Sequence, residues 1–500
     1  MRLIPVLSVL LVAVPAAGAP RPASPTTAGE KSQLFAVQLH GIVQQVNTKY
    51  VRPVPVPDLL HAALAGLYEA ARLPVPADLK ERVDKAAARN ELILLIQETH
   101  ARTADAMTAL GRHPMTVACQ ALFRSLDPFS GVVNKDEQRR NVALDQTAQG
   151  VGIDLMEDTG SGPLVIKTVF PGGSAQRAGL RPGDQITHVN GEPVNKAESD
   201  PFNPEPRWSL LLESASPNTV GEQPKPAIVT FHRPGGYPLT VKLDRQPYRV
   251  ETVLGAGRDD GHHWVYWADY KQRIAHIRIS LLSKTTPEDL GDVLDLLHDN
   301  EMRGLILDLR WTPGGYLDES VEVARMFLGD VPVATVKSRI GADSEYRGRG
   351  PSKLVDLPLV VLVNGETSGG AELIAAALQD HGRAVVVGQR TLGKASVQGP
   401  LYADLPDVQL KMTTGTFFRP SGKNLHHFPD SKPSDDWGVK PDVEFRISPE
   451  LGRQLKAWWL AQTLRPGPSL ERLPLDDPSA DAQRRAALDV VAGLISKKKN

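Results

Sequence analysis

The sequence has little cysteine: Cys119 is the only one in 500 residues. A single cysteine cannot form an internal disulfide, and it excludes metal sites built from several thiolates. Cys119 lies in the segment TVACQALF, where a small buried apolar residue is the simplest interpretation. A disulfide-rich scaffold and a thiolate zinc site are therefore both excluded.

An excess of charge is also absent. Lys and Arg number 57 and Asp and Glu number 58, which gives a formal net charge of −1. This balance indicates neither a nucleic-acid partner nor an electrostatic membrane anchor. The 13 histidines show no HExxH or comparable ligand spacing. His426 and His427 are adjacent in a polar segment, and we interpret them as surface residues.

The apolar run near the N-terminus, LIPVLSVLLVAV, has only 12 residues and is too short to cross a bilayer. It follows Arg2 and precedes the small residues PAAGAP, a pattern typical of a signal peptide. We therefore predict a signal peptide over 1–19, cleaved near Ala19, and a linker over 20–33. The expectation is an exported protein, periplasmic or secreted, with no integral membrane segment after cleavage.

The length of the chain predicts two or three domains. Apolar residues at helical spacing predict a helical N-terminal domain over 34–148. Residues 149–248 show strand and turn patterns, whereas 249–447 alternate strands with helices, as the crossover units of a largely parallel sheet do. Residues 448–500 are predicted to be a helical extension, which we interpret as peripheral.

The segment GSAQRAGLRPGDQITHVNG combines a turn, a short helix, a tight turn and a strand. This order of elements resembles a PDZ domain. The resemblance implies that backbone N–H groups of Gly150, Val151, Gly152 and Ile153 bind a peptide C-terminal carboxylate, while the neighbouring strand edge pairs with the peptide. The segment WSLLLES, in a long Pro-rich connection, is the candidate for the helix that borders the peptide groove.

Two segments of the α/β region could supply catalytic groups. Gly314 and Gly315 lie between a strand and a helix, where exposed N–H groups can stabilise an oxyanion; a tight turn without chemistry is the alternative. Lys394 lies between Gly393 and Ala395 in an otherwise apolar region. Burial there would lower the lysine pKa and allow a neutral amine to act as a base, although a solvated charge is the alternative.

A third segment, VNGETSGGAEL, contains one serine, Ser368, between an apolar strand and a helix. Such turns commonly expose a nucleophile. Ser368 could instead be the N-cap of the following helix. No G-x-S-x-G elbow surrounds it, which argues against a Ser-His-Asp hydrolase.

Several motifs occur in a characteristic order: DPFSG, the PDZ segment, GLILDLRWTPGG, AELIAAALQDHGRAVVVGQRTLGKASVQ and GVKPDVE. Together they resemble the C-terminal processing peptidases, or tail-specific proteases, over roughly 122–443. The resemblance implies a multidomain α+β fold with a helical N-terminal domain, a PDZ-like β domain and a crotonase-like, ClpP-like α/β protease domain. It also implies cleavage of proteins near their C-termini by a serine and a lysine, without a metal or organic cofactor.

The resemblance assigns the general base to Lys394 and its supporting glutamine to Gln398. It assigns oxyanion stabilisation to Gly314 and Gly315. Asp380 also has a counterpart in some members of the family, with a less certain role.

The family nucleophile, counted back from Glu372 or forward from Asn364, falls on Gly369. Two hypotheses follow. In the first, Ser368 is the nucleophile, and the N–H of Gly369 joins the oxyanion hole. In the second, the protein is a non-catalytic peptide-binding or regulatory protein. Both predict protein or peptide C-termini as partners, and neither predicts an oligomeric state.

Overall fold

A computed structural model describes residues 27–499 of the chain, except for positions 87, 134–140, 142, 147–148, 156–163, 171, 182, 195–224, 234, 260–262, 353, 404, 406–408, 429–430, 433 and 464–480. The predicted signal peptide, part of the predicted linker and the segment WSLLLES lie outside the described residues. The chain divides into two compact units, Met1–Gln44 with Pro55–Leu122, and Gln45–Val54 with Phe123–Asn500. Among the described residues, no helix is both long enough and apolar enough to cross a membrane.

The N-terminal region is helical, as predicted. Its helices α1–α5 are Ala28–Lys49, Val56–Ala70, Leu79–Lys85, Arg89–Ala109 and Pro114–Arg124. Helix α2 begins next to prolines, and Leu60, Leu64 and Leu67 are buried at helical spacing along one face. Cys119 is also buried and unpaired, which confirms its interpretation as a core residue.

The next region is a small antiparallel sheet with one short helix, α6 (Ser174–Arg177). It follows strand β1 (Gly131–Val132), which belongs to another sheet, and its own strands β2–β9 are Gln149–Gly150, Ile153–Leu155, Leu164–Val169, Gln185–Val189, Glu192–Pro193, Ala227–His232, Leu239–Leu243 and Gln246–Pro247. Its strand order is β3-β4-β5-β7-β8, with β6 beside β5, and β2 pairs separately with β9. Ile166, Ile186, Val229 and Phe231 fill its core. Strand β3 is therefore an edge strand of this sheet.

The remaining region is α/β. Its helices α7–α11 are Thr286–Asp299, Leu317–Arg325, Gly370–Asp380, Pro449–Thr463 and Ala482–Lys499. Strands β10–β22 are Val253–Leu254, Gly257–Arg258, Trp264–Val265, Trp267–Asp269, Ile274–Ile279, Gly304–Asp308, Pro332–Ser338, Ser344–Arg347, Leu359–Val363, Val385–Gly388, Ser396–Leu401, Leu410–Phe418 and Val443–Glu444. Together with the two regions before it, this confirms the predicted multidomain α+β fold.

The principal sheet has the strand order β10-β14-β15-β18-β19-β22. The pairs from β14 to β22 are parallel, and α7, α8 and α9 lie in the connections between successive strands of the chain. Every residue of β15 and β18 is buried, because helices cover both faces of such a sheet. The carboxyl ends of β15 and β18 lie side by side, which brings the turns that follow them together.

The C-terminal helix α11 covers one face of this sheet. Its Ala487, Val491 and Ile495 pack against strand residues that include Ile306 and Val360. The interpretation of the C-terminal segment as peripheral is therefore wrong.

A buried ion pair also attaches this segment to the sheet. Asp481 precedes α11 and accepts hydrogen bonds from both terminal nitrogens of the Arg310 guanidinium, at 2.9 and 2.8 Å. Arg310 in turn binds Asp308 at the end of β15, and both side chains are fully buried or nearly so. Losing either carboxylate would leave a buried guanidinium without full compensation.

A second sheet has the order β1-β21-β16-β17, with β20 also paired to β21. All of its pairs are antiparallel. Strand β1 begins at Gly131, the last residue of the DPFSG segment, and β20 contains Gln398. This sheet thus connects the DPFSG segment to the strand that follows Lys394.

Candidate active site

Gly314 and Gly315 form the turn between β15 and α8. Gly314 has φ +83°, and a Cβ there would lie 2.8 Å from the carbonyl oxygen of Ser368. Only glycine allows this backbone conformation and this close approach without strain. The N–H of Ser368 also donates to the carbonyl of Thr312 at 3.0 Å. The glycine turn and the Ser368 turn are therefore in direct backbone contact.

The N–H groups of Gly314, Gly315 and Gly370 make none of the hydrogen bonds found among the described residues. Gly370 is the first residue of α9, where the helix dipole adds partial positive charge. Unengaged N–H groups at a helix N-terminus are suited to stabilising a developing oxyanion.

Ser368 is almost buried, with 5% of its surface exposed. The alternative that it caps α9 is wrong, because the N-cap residue is Gly369 and no side-chain hydroxyl bonds to the first turn. Within the described part of the chain, Ser368 Oγ makes no hydrogen bond, and the side chains of Ser368 and Lys394 are not hydrogen-bonded to each other.

Gly369 has φ +62° and ψ −129°, a conformation that side chains other than glycine adopt only at a cost. A Cβ at this position would lie 3.5 Å from both Gly314 Cα and the carbonyl oxygen of Pro313, which is ordinary van der Waals contact. A Cβ at Gly369 would therefore meet no steric clash, and the cost of a substitution there lies in the backbone conformation.

Glu372 joins the serine turn to the lysine loop. Its carboxylate is completely buried and accepts the N–H of Gly369 at 3.1 Å, of Gly393 at 2.7 Å and of Lys394 at 2.7 Å. The hydroxyl of Thr391 also donates to it. Burial raises the pKa of Glu372 to about 7, against the opposing effect of these donors. One carboxylate therefore fixes the relative position of the two predicted catalytic segments.

Because Gly369 donates its N–H to Glu372, it could serve the predicted oxyanion hole only if that bond opened. Gly370 has no such engagement among the described residues. The neighbouring N–H is therefore the better placed donor in this conformation.

Lys394 is partly buried, and its Nζ lies 5.1 Å from the centre of the Phe129 ring. Gln398 donates from Nε2 to Ser396 Oγ at 2.8 Å and to Thr413 Oγ1 at 3.2 Å. No hydrogen bond between the side chains of Lys394 and Gln398 occurs among those of the described residues. Gln398 is instead held by strand β20 and its partner β21.

Asp380 lies at the opposite end of α9 from Ser368. Its carboxylate binds Arg419 Nε at 2.9 and 3.0 Å and accepts the N–H of Ser421 at 2.9 Å. A helix rises about 1.5 Å per residue, so Asp380 is well separated from the serine turn. Its contacts indicate a role in holding the helix end rather than in the chemistry.

The four residues of the predicted carboxylate-binding turn lead into the edge strand β3. Gly152 has φ +81°, and a Cβ there would lie 2.7 Å from Gly173 Cα. The carbonyl of Val151 accepts the N–H of Ala175 at 3.0 Å. The turn is therefore packed against the start of α6, beside a strand whose outer edge could pair with a peptide.

Sequence reasoning used Glu372 only to count positions and did not predict its role. The available signal was an acid three residues after a glycine at the start of a predicted helix, because this is the spacing of a capping box. The prediction for His426 is also wrong: its ring is buried, and Nδ1 accepts the N–H of Ala395 at 3.2 Å. His427 is exposed, as predicted.

Comparison with known proteins identifies two families in the chain. Residues 273–445 match peptidase family S41, and residues 141–201 match the PDZ domain. These matches confirm the two resemblances inferred from the sequence.

Two relatives are similar over long stretches. Carboxyl-terminal-processing peptidase 3, chloroplastic, of Arabidopsis thaliana is 27% identical over 341 residues, which are 64% of this chain and 57% of that protein. Carboxyl-terminal-processing protease of Synechocystis sp. is 26% identical over 389 residues, which are 77% of this chain and 78% of that protein. The chain thus spans little more than half of the first relative. Among solved structures, a photosystem II D1 C-terminal processing protease is 23% identical with a TM-score of 0.39, and the match covers 83% of this chain and 93% of that one.

Proposed function

Since residues 273–445 belong to peptidase family S41 and a PDZ domain precedes them, we propose that this protein is an exported serine endopeptidase that cleaves proteins near their C-termini. The PDZ domain would bind the C-terminal tail of the substrate, with the carboxylate at the Gly150–Ile153 turn and the tail along β3. The relatives named above as C-terminal processing enzymes support this substrate class.

The observation that carries this proposal is the coupling of the serine turn to the lysine loop through Glu372. The carboxylate binds the N–H groups of Gly369 and Lys394, and the hydroxyl of Ser368 is not used as a helix cap. A serine whose hydroxyl makes no hydrogen bond among the described residues and a partly buried lysine thus lie on segments that one buried carboxylate joins. That arrangement favours a Ser/Lys pair over two unrelated surface residues.

The proposed reaction begins when Ser368 Oγ attacks the scissile carbonyl carbon while Lys394 Nζ accepts the hydroxyl proton. The N–H groups of Gly315 and Gly370 bind the oxyanion. Lys394 then returns the proton to the leaving amine, and the acyl group stays on Ser368 Oγ. In the second half, Lys394 accepts a proton from water, whose oxygen attacks the acyl carbon; the bond to Ser368 Oγ breaks, and Lys394 returns the proton to that oxygen. Gln398 lies on β20, where its side chain is bonded to Ser396 and Thr413, and would support Lys394 only after a change of rotamer.

The test measures cleavage of a disordered protein with a free C-terminus. Ser368→Ala and Lys394→Ala should each lower kcat about a thousandfold or more, because the pair acts as a unit. The exposed residues Ser344 and Lys432 provide matched controls, and their alanine variants should cleave normally. Normal cleavage by Ser368→Ala would exclude this serine as the nucleophile.

A second candidate function, peptide binding without turnover, is favoured by Gly369. Gly369 stands at the position that the family resemblance assigns to the nucleophile, and its φ of +62° and ψ of −129°, with room for a Cβ in ordinary contact with Gly314, support this candidate. In that case the PDZ domain and the glycine turns would bind tails that the site cannot cut.

One further variant separates the two functions. If the protein is non-catalytic, the wild type binds C-terminal peptides without cleaving them, and Gly369→Ser gains activity that Lys394→Ala abolishes. If Ser368 is the nucleophile, the wild type cleaves, and Gly369→Ser does not rescue the loss caused by Ser368→Ala. Cleavage by the wild type that Lys394→Ala abolishes would overturn the second candidate.

A further inference from the structure

The DPFSG segment, residues 127–131, approaches the candidate site although the proposed reaction does not use it. The ring of Phe129 faces the ammonium of Lys394, with Nζ 5.1 Å from the ring centre. This is within the distance at which an aromatic face attracts a cation. The contact joins two segments that are more than 250 positions apart in the sequence.

The segment is held rigidly by its own carboxylate. Asp127 Oδ1 accepts the N–H groups of Phe129 and Ser130, both at 2.7 Å, and Oδ2 accepts the hydroxyl of Ser130 at 3.0 Å. Just before it, the carbonyl of Leu126 accepts the hydroxyl of Tyr50 at 3.2 Å. The Phe129 ring is therefore presented by a fixed loop rather than by a free side chain.

His426 supports the ring from the side. Its ring is T-shaped to that of Phe129, with centres 5.8 Å apart, and it is also T-shaped to Phe428 at 4.4 Å. Burial lowers the pKa of His426 to about 4, and its Nδ1 accepts the N–H of Ala395. The imidazole is therefore neutral near pH 7 and supplies packing without a competing charge.

Ser130 extends the same segment to Gln398. The N–H of Thr413 donates to Ser130 Oγ at 3.0 Å, and Gln398 Nε2 donates to Thr413 Oγ1 at 3.2 Å. The loop thus contacts Lys394 directly, through Phe129, and is linked to Gln398 through Thr413.

We propose that Phe129 is a positioning residue, which places the Lys394 ammonium over its ring and so sets the proton affinity of the lysine. The proposal rests on the proposed function only where Lys394 is called the base; the contact itself does not depend on cleavage. An aromatic face stabilises the charged form of an amine, so removing the ring while keeping its bulk makes Lys394 easier to deprotonate.

Other charged groups around Lys394 set the background for this effect. Glu372 accepts its backbone N–H, and Asp127 anchors the loop that carries Phe129; both are acidic. Arg52 lies over the ring of Phe428 at 3.8 Å and opposes them, and His426 and His427 are the titratable neighbours on the following loop. A substitution at Phe129 leaves all of these charged and titratable side chains in the protein.

The decisive experiment compares Phe129→Leu, which removes the ring, with Phe129→Tyr, which keeps it. The rate of acetylation of Lys394 by acetic anhydride is measured by mass spectrometry across a pH series, with exposed Lys432 as the internal reference. The apparent pKa of Lys394 should fall by about 0.5 to 1 unit in Phe129→Leu and stay at the wild-type value in Phe129→Tyr. An unchanged value in Phe129→Leu overturns the proposal.

Phe428→Leu is the matched control. It makes the same substitution at a second phenylalanine, which contacts His426 and Arg52. It should leave the Lys394 titration unchanged, and an equal shift in this variant would show a general packing effect and overturn the proposal. If Phe129→Leu does not fold, Phe129→Met provides a second apolar side chain without a ring, and the same two outcomes apply.

Cleavage provides the separate readout. The acid limb of the pH profile of kcat/KM should move to lower pH in Phe129→Leu by the same amount as the labelling titration. In Phe129→Tyr, which keeps the ring, it should stay at the wild-type position. No cleavage by the wild type with the labelling shift intact would defeat the proposed function alone. Normal cleavage with neither shift would defeat the role of Phe129 alone.

Discussion

The glycine turn of the protease region contains Gly314, and the glycine turn of the PDZ domain contains Gly152. Both allow a close approach of two backbone segments. Gly314 and Gly152 both have positive φ, and a Cβ on either would come within 3 Å of backbone atoms: 2.8 Å for Gly314 and 2.7 Å for Gly152. In both cases glycine lets two backbone segments approach each other closely. The two turns differ in what surrounds them.

The protease turn is enclosed by its contacts. It touches the Ser368 turn, which Glu372 connects to the Lys394 loop through buried hydrogen bonds. The PDZ turn instead leads into β3, the edge strand of its sheet. The first arrangement keeps N–H groups at fixed positions, as stabilisation of a transition state requires, whereas an open strand edge can pair with many peptide sequences.

The largest expected effect is the loss of folding stability when the buried Glu372 of the protease region is replaced. Glu372→Ala would remove the acceptor of three backbone N–H groups and one hydroxyl. Leaving these buried donors unpaired should lower the free energy of unfolding by at least about 3 kcal/mol, measured by denaturant unfolding. Glu366→Ala is the control, since Glu366 is exposed and pairs with Lys456 at the surface. Equal losses of unfolding free energy in the two variants would contradict the role of Glu372 in connecting the Ser368 turn to the Lys394 loop.

Gly314→Ala should be the next most severe change. The added methyl would meet the carbonyl of Ser368 at 2.8 Å and require φ +83° of an alanine, at a cost of about 1–3 kcal/mol. The turn would shift away from Ser368, so the rate of cleavage should fall. If the wild type is non-catalytic, the activity gained by Gly369→Ser should fall instead. Peptide binding by the PDZ domain should not change. A loss of peptide binding would mean that the two turns are not independent.

Gly152→Ala tests the other side of the comparison. Its methyl would lie 2.7 Å from Gly173 Cα, so the turn proposed to bind the carboxylate should open and the Kd for a C-terminal peptide should rise about tenfold or more. Gly172→Ala is a matched control, because Gly172 has φ +76° with nothing within 4 Å of an added Cβ. It should destabilise slightly and leave binding nearly intact, as measured by fluorescence anisotropy.

The smallest expected effect is a pH dependence of the thermal stability, which arises from Glu372 in the protease region. Burial raises the pKa of Glu372 from its usual 4.5 to about 7. The protonated form is thus favoured in the folded state, and its stabilising contribution is complete below about pH 4.5 and lost as the pH rises through about 7. The Tm of the wild type relative to Glu372→Gln should therefore fall over this interval in thermal melts. A rising difference would contradict the assigned pKa.

Much of the fold could be predicted from local patterns. Apolar runs such as LPLVVLV and AVVVG became the central parallel strands β18 and β19, because strands covered on both faces are apolar throughout. Helical spacing predicted α2, α7 and α9. The motif order also predicted the resemblance to PDZ domains and to C-terminal processing peptidases, and the matches to the PDZ domain and to peptidase family S41 confirm it. Export and the catalytic assignments remain predictions.

The candidate site was predicted less completely, since it depends on contacts between distant segments. The sequence allowed Ser368 to be either a nucleophile or a helix cap, and only the folded backbone assigns the cap to Gly369. The burial of His426 was likewise invisible, because a His-His pair in a polar segment is normally exposed.

By itself, the sequence determined the families, the order of the regions and the glycines of the turns, because periodicity and turn chemistry are local properties. Only the tertiary structure decided that Glu372 connects the Ser368 turn to the Lys394 loop and that Phe129 faces the lysine. It also decided that α11 covers the sheet. The physical reason is the same in each case: burial and hydrogen bonding between segments far apart in the chain depend on packing, which no local pattern encodes.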